Sequence, residues 1–240
     1  VATSFTAPVL ITGGAKRIGL ALAHSFLAQN VPVIVSWRTY YPSLEILSQQ
    51  GAICLQADFS TTENVYDFAK RVKALAPKLR AVIHNASTWR AEQHDEPLEQ
   101  TLAEMLQIHV YTPYLLNQLL ESCLYGQGVG GSDIIHLTDY VVEKGSEKHI
   151  AYAASKAALD NMTRSFAKKL APDVKVNAIA PALIMFHPDD TTRYRQKALK
   201  KSLIETVPGE EEVVRLVHYL LSSHYMTGKT LGLDGGRPLR

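Results

Sequence analysis

Short apolar runs recur along this chain with helical patterns between them, and that alternation leaves few folds open. The runs lie at 8–11, 31–35, 53–57, 81–84, 134–138, 174–180 and 229–233, and most are rich in Val and Ile. Each is too short for a buried helix, so each reads as a buried strand. Repeats at three- and four-residue spacing over 61–75, 98–120, 152–170 and 210–221 read as helices, as does the pattern at 20–27. Strand alternating with helix implies right-handed crossovers and an α/β fold, a doubly wound parallel sheet flanked by helices. The 240 residues suit a single domain, 1–240, with a substantial core. Chain order then sets every strand-end residue along one carboxyl edge.

Composition narrows the class. A formal net charge of +2 is too small to argue for a nucleic-acid or membrane surface, and soluble small-molecule chemistry fits better. Cys54 and Cys123 form no CxxC pair and sit among apolar neighbours, as free thiols in a reducing compartment would. No apolar run approaches a membrane span, and residues 1–7 lack the pattern of a signal peptide, so a cytoplasmic location is expected. The histidines show no metal-ligand spacing, and no metal is expected.

The first run ends in Thr12-Gly13-Gly14-Ala15-Lys16-Arg17-Ile18-Gly19 and a helix follows. Glycines let the backbone turn tightly and approach a ligand, while the start of the helix favours a phosphate. A plain βα turn is the other reading of the same spacing. After the second run, an acidic residue would hold a ribose 2′-hydroxyl, whereas an arginine favours a 2′-phosphate. Here the chain has Arg38-Thr39, and Arg17 and Arg38 can converge on one phosphate, which predicts NADPH over NADH. Asp58 either accepts from an adenine amino group or braces its own loop. Asn85-Ala86-Ser87 places small residues where a cofactor would pass, and Trp89 then offers a flat face for ring stacking or fills a loop core.

Tyr152 and Lys156 are four apart at the head of a helix, and so share a face. A lysine beside the phenol is expected to lower its pKa and make the hydroxyl a usable acid. Asp139, just beyond the fifth run, can reach the same place. Alone, Tyr-x-x-x-Lys also occurs by chance on solvated helix faces, so the surrounding motifs must decide. Between 183 and 202 the pattern loosens into what reads as a substrate loop or lid, carrying Arg193, Arg195, Lys197, Lys200 and Lys201. That charge run is either a solvated helix face or an attraction for an acidic substrate tail.

Taken together, Thr12-Gly13 to Gly19, Asn85-Ala86-Ser87, Tyr152…Lys156, Asn177 with Pro181, and Asp234-Gly235-Gly236 resemble the short-chain dehydrogenase/reductase family over nearly the whole chain. Arg17 in TGxxxRxG, and Asp139 where most members have serine, resemble its pteridine reductases. The resemblance implies a Rossmann-type fold and NADPH-dependent reduction of a 7,8-dihydropterin, with weaker action on dihydrofolate. It further implies a homotetramer, consistent with the apolar helical patterns. Tyr152, Lys156 and Asp139 would be catalytic. Gly13, Arg17, Ile18, Arg38, Thr39, Asp58, Asn85, Ala86, Ser87, Thr138, Tyr152, Lys156 and Pro181 would hold the cofactor, and Trp89, Asp139 and Tyr152 the pterin. An ionised aspartate accepts only, which suits a ring presenting N–H and amino donors. Departures from the family pattern are His109 and His84 in place of frequent asparagines, and Ala182 after Pro181. His109 either supports Lys156 through water or simply packs. Rival readings are a carbonyl reductase of the same family, which Asp139 disfavours, and a nonenzymatic NADPH sensor, which would need no Tyr152/Lys156 pair. A nucleic-acid module lacks both the positive field and a recognition motif.

Overall fold

The computed structural model describes residues 6–92 and 97–240. Residues 1–5, which share the segment read above for a leader, lie outside the described residues. The elements run β1 (Val9–Ile11), α1 (Arg17–Leu27), β2 (Val33–Trp37), α2 (Ser43–Gln49), β3 (Ile53–Gln56), α3 (Thr62–Leu75) and β4 (Ala81–His84). Next come α4 (Leu98–Leu106), a π-helical turn (Gln107–Tyr111), α5 (Thr112–Leu119), α6 (Glu121–Leu124) and β5 (Ser132–Leu137). The chain finishes with α7 (Val141–Lys144), α8 (Ile150–Leu170), β6 (Val174–Pro181), α9 (Thr192–Leu199), α10 (Glu211–Ser222) and β7 (Thr230–Leu233).

The strands form one seven-stranded parallel sheet in the order β3-β2-β1-β4-β5-β6-β7. Strand alternation splits the core into two layers. Val9 and Ile11 face α1 and α10 through Leu22, Phe26, Val213 and Val217, whereas Leu10 faces Phe68 of α3, Leu116 of α5 and Phe166 of α8. The strand order reverses between β1 and β4. Such a switch point opens a crevice beyond the carboxyl ends of the strands, and it is the loops after β1 and β4 that line it.

The opposite, amino edge carries a buried ionic group. The Asp133 carboxylate is wholly buried and takes Arg80 Nη1 on one oxygen and Lys175 Nζ on the other, each at 2.5 Å. Both cations also donate to the last carbonyls of α10, Arg80 to Leu221 at 2.7 Å and Lys175 to Leu220 at 3.0 Å. They therefore fasten a helix C-terminus, where cations are favoured, to the foot of the sheet.

Two stretches depart from the sequence reading. The span read as one helix over 98–120 is broken by the π turn, which adds a residue to the helical path and rotates His109 into the core. The loosened stretch at 183–202 contains α9. This helix is capped by Thr191 Oγ1, which accepts from Tyr194 N at 3.2 Å. Nor is its basic run wholly a solvated face. Arg195 donates to the carbonyls of His187, Pro188 and Asp190 and stacks on Phe186, so it fastens the turn before the helix. Cys123 is buried, Cys54 is half-buried, and both are free thiols.

Candidate active site

The glycine turn is built by close approach. Gly13 has φ +70°, and a side chain there would meet Ala86 Cα at 2.9 Å. At Gly19 it would meet the Gly13 carbonyl at 2.3 Å and Asn85 Nδ2 at 2.6 Å. Asn85 donates its amide to the carbonyls of Thr12 and Gly13 at 3.0 and 2.8 Å, while Thr12 Oγ1 accepts from the backbone of Asn85 and Ala86. The loops after β1 and β4 are thus stitched together at the switch point. Arg17 adopts φ +52°, a conformation costly for a side-chain-bearing residue and one that collects at functional sites. Lys16, at the N-cap of α1, supplies no side-chain cap, and the first turn holds no acidic residue. Helix N–H groups without a protein partner, in a cradle that excludes side chains, suit a phosphate.

Beside this cradle stand exposed Arg17, Arg38 and Thr39, with Ile18 packed half-buried on the core. Lys16 also belongs here, and sequence reasoning passed over it. Its Nζ donates to Tyr41 Oη at 2.9 Å, which brings a third cation to the loop after β2. The signal was available in its place next to Arg17 within the glycine turn. Asp58 accepts from Ser60 N at 3.1 Å, which is the loop-bracing contact. Thr138 spends its hydroxyl on the Ile179 carbonyl at 3.1 Å, and Pro181 closes β6 by accepting from Tyr140 N at 3.1 Å.

Around Tyr152 the groups converge. Tyr152 Oη donates to Asp139 Oδ2 at 2.9 Å, and Asp139 Oδ1 accepts from Val141 N at 2.8 Å. Lys156 is buried, its Nζ donating to the Leu137 carbonyl at 2.8 Å and lying 5.7 Å from the Tyr152 ring centre. This corrects the expected electrostatics. Burial and the adjacent Asp139 carboxylate push the Tyr152 phenol up, not down, because a charge is costly out of water and a second negative one costlier still. Burial likewise pushes Asp139 up and lowers Lys156 to about 8, the latter partly opposed by Asp139. Tyr152 therefore keeps its proton, in a bond with a carboxylate that holds a proton more readily than usual.

His109 completes the wall. Its Nε2 is hydrogen-bonded to Ser87 Oγ and its Nδ1 to Ser155 Oγ, each at 2.8 Å, and its ring stands edge-on to Tyr152 with centres 5.5 Å apart. It thus ties the loop after β4 directly to α8, and its bonds run to serines rather than to Lys156. Burial, then the Lys156 charge, lower it to about 2, so it is neutral. Arg237 stacks on Tyr140 with 4.5 Å between guanidinium and ring centre, and its charge helps hold Asp139 ionised. Trp89 is exposed, its ring tilted at 46° against that of His149 with 4.5 Å between centres. Among the described residues no cluster of side chains could hold a metal ion.

Residues 13–237 match the family described as Enoyl-(Acyl carrier protein) reductase. The match spans the glycine turn, the Asp139–Tyr152–Lys156 group and Arg237. The chain is a short-chain dehydrogenase/reductase. Within that family it is 65% identical over 232 residues to the dihydromonapterin reductase of Enterobacter sp. (strain 638), covering 97% of each chain. It is 63% identical over 233 residues to the protein of the same name from Escherichia coli O6:K15:H31 (strain 536 / UPEC), again covering 97% of each. Among solved structures, the FolM alternative dihydrofolate reductase 1 from Brucella canis, complexed with NADP, superposes with a TM-score of 0.89. It shares 26% identity, with 100% of this short-chain dehydrogenase/reductase and 97% of that chain covered.

Proposed function

We propose that this chain is an NADPH-dependent dihydromonapterin reductase, converting 7,8-dihydromonapterin to 5,6,7,8-tetrahydromonapterin, with weaker action on dihydrofolate. The observation that carries the reading is the Tyr152–Asp139 hydrogen bond, in which an acceptor-only carboxylate stands where a carbonyl reductase needs a second donor. Names of relatives at 61–65% identity agree with it. NADP in the Brucella canis structure agrees with the cofactor, and the cradle and cations at the glycine turn fit that group.

Bound NADPH supplies the hydride, which adds to C6 of the pterin as the C6=N5 double bond is reduced. The chain's own residues do the rest. Asp139 accepts from the ring's amino and N–H donors, and Tyr152, hydrogen-bonded to it, holds the proton that goes to N5. Lys156 sets a positive charge beneath the pair. Trp89 stacks on the ring, and Arg17, Arg38 and Lys16 take the 2′-phosphate of the cofactor. The protein works in the cytoplasm as a homotetramer. No helix of the described residues is long and apolar enough to cross a membrane, and both thiols are free. Exposed Leu102, Tyr111 and Tyr114 on α4, the π turn and α5 offer an apolar contact face.

NADPH oxidation by the purified protein, measured with dihydromonapterin, dihydrofolate and a simple diketone beside NADH controls, tests this. The expected order of kcat/KM is dihydromonapterin, then dihydrofolate, with the diketone inert. Turnover of the diketone alone would overturn the substrate, and faster oxidation of NADH would overturn the cofactor. Light scattering that gave a monomer would overturn the tetramer.

A further inference from the structure

The loop after β4 is anchored on both sides of Trp89. Before it, Ser87 Oγ is hydrogen-bonded to His109 Nε2 at 2.8 Å; after it, Arg90 is ion-paired with Glu104 of α4 at 2.9 Å, and Glu92 Oε1 accepts from Ala151 N, in the first turn of α8, at 2.7 Å. The indole between these anchors is 63% exposed, an uncommon state for so large an apolar group, and among the described residues its ring partner is His149. His149 is the N-cap residue of α8, three residues before Tyr152. Its Nδ1 is closed off from solvent and has no hydrogen-bond partner among the described residues. A buried polar atom left unpaired is costly, and such atoms persist where a ligand satisfies them. Trp89 needs a ring and His149 needs a hydrogen-bonding group, and the two needs meet at one place, at the start of the helix that carries Tyr152.

We propose that His149 is a specificity-determining residue that binds the hydroxylated C6 side chain of the substrate. The inference rests on the pterin reading above. When the pterin enters, the Trp89 indole leaves the His149 face for the pterin ring, a side-chain rotation that disturbs neither anchor of its loop. His149 Nδ1 is thereby opened to a side-chain hydroxyl. A hydroxyl both donates and accepts, so either neutral tautomer of the imidazole serves. The ligand class is a dihydropterin with a polyhydroxylated arm. A site built to hydrogen-bond a hydroxyl discriminates strongly against the analogue that lacks it, because its own polar group is then stranded.

The test compares dihydromonapterin with 6-methyl-7,8-dihydropterin, which has the same ring and no side-chain hydroxyl. His149→Phe keeps a ring for Trp89 and removes both nitrogens. The expected result is that the ratio of kcat/KM for the two substrates falls about tenfold, a typical loss for one hydrogen bond in a closed site, with the change in the KM for dihydromonapterin. His149→Asn restores a polar group and is expected to recover part of the ratio; should the phenylalanine variant not fold, its shortfall against the unaltered protein gives the same reading. A ratio unmoved in the folded variants, including one in which both substrates slow equally, would overturn the proposal and leave the pterin reading standing. No turnover of either pterin by the unaltered protein would overturn both.

Discussion

Asp139 decides what the neighbouring hydroxyl can do. The helical spacing of Tyr152 and Lys156 suggests a phenol eased toward ionisation, yet the ammonium is turned to the Leu137 carbonyl and the phenol to the carboxylate. Tyr152 is held protonated, and the site titrates through Lys156 instead. With the lysine lowered to about 8, its positive charge is present below that pH and lost above it. The kcat/KM for dihydropterin is therefore expected to fall on an alkaline limb centred near pH 8, by about tenfold per unit above it. A flat profile to pH 10 would show that Lys156 keeps its proton and that its charge is not what the limb reports. At the other end of the cofactor, Arg17 and Arg38 define a second residue-scale expectation. Replacing both by alanine removes two charge-assisted contacts and should raise the KM for NADPH by about 100-fold or more, from roughly 1.5–3 kcal/mol per contact, with little effect on NADH. Equal losses with both cofactors would show that the arginines shape the loop and do not bind the 2′-phosphate.

The element that the sequence conceals is the π turn at Gln107–Tyr111. Apolar spacing over 98–120 reads as unbroken helix, because one extra residue in the path leaves the surrounding three- and four-residue repeats intact. The turn nevertheless brings His109 inward, where it bridges Ser87 and Ser155. Replacing His109 by leucine keeps the volume and removes its two hydrogen bonds, to Ser87 and Ser155, at a cost of about 1–3 kcal/mol. A matching drop in the midpoint of chemical unfolding, with slower turnover as the loop after β4 loses its tie to α8, is the expected result. A variant of unchanged stability would show that the histidine merely packs. The central strands were legible because each is an apolar run enclosed by two helical layers, whereas the edge strands β3 and β7 are half-exposed and showed by their place in the alternation; the site was legible because chain order sets strand ends along one edge. Helix α9 showed only as a basic run on a solvated face, since Ala198 alone of its side chains is buried and an amphipathic pattern had nothing to write. The Asp139–Tyr152 bond was hidden for another reason: composition gives the partners, but only packing says which of two neighbours a phenol will face.

Across the whole molecule, the sheet is a partition between polar ends of different kinds. At its foot, Asp133 is charged and paired. Behind the active-site edge lies a neutral chain in which His84 Nε2 is hydrogen-bonded to Asn117 at 2.7 Å, Asn117 to His136 at 3.2 Å, and His136 to Thr163 at 2.8 Å. With His109 this makes three buried histidines that the fold holds neutral. Burial lowers His84 to about 4 and His136 well below 6.5, and His109 lies at about 2. The unfolded chain binds protons at these positions from pH 6.5 downward, while the folded chain does not. Stability is therefore intact above that pH and falls as the pH drops toward 4, by roughly 1.4 kcal/mol per pH unit for each histidine and about 4 for the three together. Asp133 and Asp139, raised by burial, act in the opposite sense, because the folded state takes up their protons before the unfolded state does. Two carboxylates cannot cancel three histidines across the whole range, so a net loss remains. Urea unfolding between pH 8 and 4.5 should give a midpoint that is level to about pH 6.5 and then declines steeply. His136→Gln, which removes one titrating base while keeping a hydrogen-bonding side chain, should cut that slope by about a third or more, since the carboxylates already offset part of it. A midpoint independent of pH down to 5 would mean that these histidines already reach solvent protons in the native protein, and the neutral layer behind the active site would have to be redrawn.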